Sequence, residues 1–118
     1  MEKKFKVDFL GEAIDFMESL DEKTKEKIYY NARKAQIVND PKLLKKLNEL
    51  IWEFRTKFNK NHYRLLAFWD KTDSDETLVL ATHGFKKKTQ KTPKSEIKRA
   101  EEIQKQYFEQ KAKKNEKR

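Results

Sequence analysis

The chain has 118 residues, enough for one domain with a modest core. It carries 29 Lys and Arg against 20 Asp and Glu, a net charge of +9, with no cysteine and only two histidines. That excludes a disulfide framework and thiolate chemistry, fits a reducing compartment, and leaves no ligand set for a structural zinc. Along the chain, Phe5, Val7 and Phe9 alternate with Lys4, Lys6 and Asp8. This predicts a half-buried strand, cut off by Gly11. Ala13, Phe16, Met17 and Leu20 then recur at helical spacing. Ser19 and Glu22 have the spacing of a capping box for a second helix over 21–38. That helix turns Ile28, Ala32, Ala35 and Tyr29 inward, and Asn39-Asp40-Pro41 breaks it. Leu43, Leu44 and Leu47 suggest a short helical turn.

Three strand signals follow. Over 51–58, Trp52, Phe54 and Phe58 alternate with Glu53, Arg55 and Lys57. Asn59-Lys60-Asn61 reads as a hairpin loop. Over 62–69, Tyr63, Leu65, Ala67 and Trp69 oppose His62, Arg64, Leu66 and Phe68. Residues 70–76 form a polar, acidic loop, and the more continuously apolar run over 77–85 reads as a central strand. Thr92 and Pro93 suit an N-cap and the first position of a last helix, whose stripe is Ile97, Ala100, Ile103 and Tyr107. The expected fold class is α+β, in the order β-α-α-β-β-β-α. The sheet is largely antiparallel, with two helices on one face and the C-terminal helix at its edge. Residues 1–118 form a single domain, with 109–118 as a frayed basic tail.

Charge is unevenly spread. Residues 86–118 hold 13 Lys and Arg against 5 Asp and Glu, a net of +8, whereas residues 1–85 hold 16 against 15. Basicity therefore sits in the loop after His83-Gly84 and in the final helix, and it favours a polyanionic partner. Residues 1–7 contain no apolar run of signal-peptide length, and no segment approaches the roughly 18 apolar residues of a membrane span. The expected home is the cytoplasm, with no membrane contact.

Alternation puts Arg55, Lys57 and Arg64 on the sheet face away from Trp52 and Tyr63. His83 ends the third strand beside Lys86, Lys87, Lys88 and Lys91. Guanidinium forks and ammoniums of this kind suit phosphates. RNA cleavage without a metal needs a base for the 2′-hydroxyl, stabilised charge on phosphorus and a proton for the leaving oxygen. Arginines can stabilise the charge, a histidine can move protons, and Phe85, Trp69 or Tyr107 can stack on bases. The structural alternative is that Arg55 and Arg64 pair with Glu53 and Asp70, that His83 is a satisfied buried histidine, and that the lysines are simply solvated. His62 abuts the hairpin loop and reads as an exposed bystander. No metal ligand set and no cofactor motif is present.

The runs Trp52-Glu53-Phe54-Arg55, Tyr63-Arg64-Leu65-Leu66 and His83-Gly84-Phe85-Lys86-Lys87-Lys88-Thr89-Gln90-Lys91-Thr92-Pro93 resemble the RelE/ParE toxin superfamily, and within it the phage-derived HigB-like group. The resemblance spans residues 40–108. It implies the toxin of a type II toxin–antitoxin system, a metal-independent mRNA endoribonuclease acting on the ribosome and inhibiting translation. It also implies a helix-turn-helix, HigA-like antitoxin, with operator DNA contacted only through that partner. Carried over by position, the catalytic residues are Arg55, Arg64 and His83. Lys57, Phe85, Lys86, Lys87, Lys88 and Lys91 bind substrate. Some ribosome-dependent relatives place a catalytic tyrosine near the C-terminus, where this chain offers Phe85 and Tyr107. The ParE branch inhibits DNA gyrase, so a non-catalytic inhibitor or binding protein on the same fold is the alternative.

Overall fold

Five strands join in one sheet, and the hydrophobic alternation of three of them decides which face each helix covers. The computed structural model describes residues 4–72, 78–88 and 91–116. The elements are β1 (Lys6–Phe9), α1 (Gly11–Glu18), α2 (Glu22–Ile37), β2 (Leu44–Lys46), β3 (Trp52–Phe58), β4 (Asn61–Asp70), β5 (Leu78–Lys87) and α3 (Lys94–Glu116). Strand order is β1-β5-β4-β3-β2. The pairings β2–β3, β3–β4 and β4–β5 are antiparallel, while β1 lies parallel to β5. This is the expected α+β class. Thr77, most of the acidic loop (73–76) and Thr89-Gln90 lie outside the described residues.

Helices α1 and α2 cover one face. Ala13, Met17, Ile28, Ala32 and Ala35 pack there against Phe54, Tyr63, Leu65, Ala67, Val79 and Ala81. Tyr29, expected inward, stays 37% exposed and meets Phe9 edge-on. Asp21, rather than Ser19, caps α2, accepting from the backbone N–H of Thr24 at 2.8 Å. The Ser19 hydroxyl turns back to the Phe16 carbonyl instead.

Helix α3 packs on the second face, over Ile51, Leu66, Phe68 and Leu80, with Ala100 at the centre of the contact. It lies across central strands and covers part of that face. The uncovered part is the hairpin end of β3 and β4, which carries the arginines. The leucines before β3 form strand β2 instead of a helical turn. Leu44 pairs with Phe54. Leu43 and Leu44 serve the first core and Leu47 the second. Three residues are too few for a period of two to show itself against one of 3.6.

Two details position the site. Asn59 and Lys60 both have positive φ, at 50° and 65°, as a two-residue type I′ hairpin turn requires. This fixes the register that sets Arg55 directly opposite Arg64. In β5, the register against β4 slips at Leu66/Ala67, so that Leu66 faces His83 while Ala67 faces Ala81. Thr82 is the extra residue of this β-bulge. Strict alternation from Val79 and Ala81 would turn His83 and Phe85 toward α1 and α2. The bulge re-aims them onto the α3 side and sends Gly84 under α1, where the ring of Phe16 lies against it.

Candidate functional site

The open half of the second face is a small grid built by the three antiparallel strands. Lys57, His62 and Lys87 form its outer row. Arg55, Arg64 and Phe85 form the middle row. Glu53, Leu66 and His83 form the third, beside the start of α3. Lys45 of β2 lies directly opposite Glu53.

Glu53 organises the middle of the grid. Its side chain is only 2% exposed. One carboxylate oxygen lies 3.6 Å from Nε of Arg64 and the other 3.5 Å from Nε of Arg55. The Thr92 hydroxyl, just before α3, donates to the same carboxylate. Thr92 therefore does not cap the helix. Instead the Pro93 carbonyl accepts the first helical bond, from Ile97 N–H. Arg64 is nearly buried and donates through Nη1 to its neighbour's carbonyl, Tyr63 O, at 3.1 Å. Arg55 is more open, at 28% side-chain exposure. Both Nε–H groups are buried and, among the described residues, have no hydrogen-bond partner. Two guanidiniums thus share one carboxylate at ion-pair distance without closing the bidentate bonds that such pairs form when relaxed.

The surrounding cations feel one another. Burial, then Arg55 against the pull of Glu53, lowers the pKa of Arg64. Lys87 is lowered by burial and by Arg64 and Arg55. His62 is lowered by desolvation, then by Arg64, Lys57, Lys87 and Arg55, which keeps the imidazole neutral at pH 7. One carboxylate does not balance this set, so a bound polyanion relieves the repulsion.

The structure brings together Arg55, Lys57, Arg64, Phe85 and Lys87 of the residues singled out in the sequence. It separates others. Lys86 pairs with Tyr63 and faces the α1/α2 side, because β5 runs on to Lys87 instead of ending in a loop at Gly84. Lys88 and Lys91 are exposed beyond the strand end. His83 is 7% exposed, one strand removed from Glu53 across Leu66. Its Nδ1 lies 3.1 Å from the Thr82 hydroxyl and its Nε2 3.6 Å from Glu96 in the first turn of α3. Burial lowers its pKa more than Glu96 and Glu12 raise it.

Two stacking candidates are elsewhere. Trp69 packs against Phe5 and Trp52 on the far face, and Tyr107 donates to Asp70 at 2.6 Å. Asp70 itself is held by Lys111 and not by an arginine. From the sequence, Glu53 was named only as a structural partner of the arginines, which it is, and His62 only as an exposed bystander. The signal for both is the same alternation that placed Arg55 and Arg64. Among the described residues, no three His, Asp or Glu side chains gather as a metal site, and no helix is long and apolar enough to cross a membrane.

The family described as phage-derived protein Gp49-like (DUF891) matches residues 15–105, which include β3, β4, β5 and every residue of the grid. No curated protein matches the chain. The chain belongs to the Gp49-like family, a toxin-like family of the RelE superfamily type.

Proposed function

We propose that this Gp49-like protein is the toxin of a type II toxin–antitoxin system, of the HigB-like group, and that it cuts messenger RNA on the ribosome without a metal. Its partners in this reading are the mRNA, the ribosome and a helix-turn-helix antitoxin of the HigA kind, and its home is the cytoplasm. The observation that carries it is the pair Arg55 and Arg64, locked opposite each other on adjacent strands with both Nε–H groups unsatisfied, inside a ring of lysines. A phosphodiester satisfies what Glu53 leaves open. Attack by the 2′-oxygen forms a new P–O bond as the bond to the 5′-oxygen breaks. The 2′-proton goes to a base, and the departing oxygen takes a proton from an acid. Arg55 and Arg64 stabilise the charge on the phosphate oxygens. His62, exposed and neutral, lies two residues from Arg64 on the same face and can accept the 2′-proton. His83 remains a candidate for proton transfer, but only through movement at α3. Lys57 and Lys87 hold flanking phosphates, with Lys88 and Lys91 beyond the end of β5.

Expression of the chain alone then arrests growth. Arg55→Ala, at a partly exposed position, lowers cleavage on the order of 100-fold while the circular dichroism spectrum stays the same. His62→Gln slows cutting more than His83→Gln does. Full cleavage by Arg55→Ala contradicts the assignment.

The buried His83 supports a second reading, a non-catalytic inhibitor that uses the same cations on a ParE-like target. DNA supercoiling by gyrase in the presence of the protein separates the two. Inhibition of gyrase without RNA cleavage selects the second.

A further inference from the structure

A second concave site lies on the opposite face, toward the other end of β3 and β4. It is a cavity of about 270 Å³ between the N-terminal segment, the end of α2, β2 and the far ends of β3 and β4. Phe5, Val38, Leu44, Trp52 and Trp69 line it. At about 30 Å³ each, that is room for on the order of nine waters against a largely apolar wall. Filling such a space with an apolar group is favourable.

We infer that this cavity docks an acidic peptide segment of a protein partner, which inserts one apolar side chain. Three observations choose this occupant. The wall is fixed in advance: Trp69 meets Phe5 edge-on at 5.0 Å and Trp52 at 5.5 Å, so ordering it on binding costs little. A preformed pocket for a single anchor is how a few residues dominate a protein interface.

Two exposed ammoniums, Lys4 and Lys71, border the cavity against a single carboxylate, Asp40. Asp40 accepts from the backbone N–H of Lys42 at 2.9 Å, which ties it to its own loop. The two ammoniums outnumber it, so acidic residues beside the anchor find cationic partners that steer the encounter. The third observation disfavours a nucleobase. Stacking needs a free ring face, whereas the aromatic wall is engaged with itself: Trp69 is held edge-on by Phe5 and Trp52 and has the Lys71 ammonium 5.5 Å over its own ring.

The site is separate from the arginine grid. Trp52 is three residues from Arg55 on β3, roughly 10 Å along the strand at about 3.3 Å per residue, and faces the other way. A partner seated here leaves the grid uncovered, and the inference stands apart from the RNA reading.

The chain's only two tryptophans, Trp52 and Trp69, both line the cavity, so their indole N–H resonances report on it alone. The full-length protein is titrated with an acidic decapeptide carrying one central leucine, with the same peptide carrying glycine there, and with a single-stranded RNA decamer. The leucine peptide shifts both indole signals to saturation, and the glycine peptide binds roughly tenfold more weakly or worse. Val38→Glu, at a position 40% exposed, and Lys71→Glu each weaken leucine-peptide binding by a similar factor. The inference is overturned if the leucine peptide leaves both signals in place. Equal shifts by the glycine peptide, or indifference to both substitutions, also overturn it. Saturable shifts by the RNA in place of the peptide would make the cavity a nucleic-acid site.

Discussion

Asp70 and Gly84 show how single residues hold the two faces of this sheet. Asp70 ends β4 on the α3 side, 2% exposed, and accepts from Tyr107 at 2.6 Å, Lys111 at 2.7 Å, and the Thr72 hydroxyl and N–H at 2.6 and 2.9 Å. Burial pushes its pKa up, but the bonds from Lys111, Thr72 and Tyr107 outweigh it and hold the carboxyl well below the usual carboxylate range. A carboxyl whose folded pKa is depressed contributes stability that is fully present above its unfolded value, about 3.9, and fades as pH falls toward the folded one. Asp70→Asn is therefore expected to destabilise at pH 7 and to flatten the loss of stability below about pH 4. Urea unfolding at both pH values checks this. A parallel drop in both proteins would show that Asp70 is not the group involved. Gly84 is constrained differently. A Cβ there would overlap the ring of Phe16, so Gly84→Ala is expected to cost about 1–3 kcal/mol of overpacking. Trimming the ring in Gly84→Ala/Phe16→Leu recovers part of that loss. Losses that simply add in the double mutant would contradict the contact. Asp70 was legible as an acidic loop residue and as a partner for an arginine, but its actual partners, Tyr107 and Lys111, are far along the chain. Gly84 was read only as the residue opening the lysine loop, and its real constraint is a ring brought in from α1.

At the level of elements, alternation carried most of the site. Trp52, Phe54, Tyr63, Leu65 and Trp69 face the first two helices, which sends Arg55 and Arg64 to the other side. The bulge at Thr82 was not legible, since one extra residue leaves no mark in a continuously apolar run, yet it decides where His83 and Phe85 point. The start of α3 was read one residue early, with Thr92 as the cap, whereas the helix begins at Lys94 and the Thr92 hydroxyl goes to buried Glu53. That carboxylate draws it across the sheet and ties α3 to the arginine pair. The β3–β4 turn offers a direct test of register. Lys60 holds a φ of 65°, a left-handed conformation that costs a non-glycine residue about 1 kcal/mol. Lys60→Gly is expected to stabilise the chain by roughly 0.5–1 kcal/mol without disturbing the grid. Thermal unfolding measures this, and a destabilised Lys60→Gly would mean that the turn is not the two-residue type.

For the whole molecule, the asymmetry of charge seen along the chain becomes an asymmetry of position. The sequence places the excess in residues 86–118, but the fold draws its strongest cluster from β3, β4 and the end of β5, where Arg55, Lys57, Arg64 and Lys87 crowd His62. Cations that repel one another in the free protein are expected to bind RNA with a steep salt dependence, each phosphate contact releasing counterion. Replacing Lys57 and Lys87 with alanine should flatten that slope, while Lys86→Ala, on the other face, should leave it nearly unchanged. Equal effects of Lys86 and Lys87 would contradict the strand register. Because the neighbouring cations depress the pKa of His62, a bound polyanion should raise it again. RNA affinity is thus expected to rise as pH falls from 7 toward 5.5, and His62→Ala should remove that rise. The most direct measurement maps 5′ ends of messenger RNA after translating ribosomes are mixed with the purified chain. New ends within translated codons, lost with Arg55→Ala and slowed with His62→Gln, are the result expected of an RNA-cleaving arginine pair. Intact messages at protein in excess over ribosomes would contradict it.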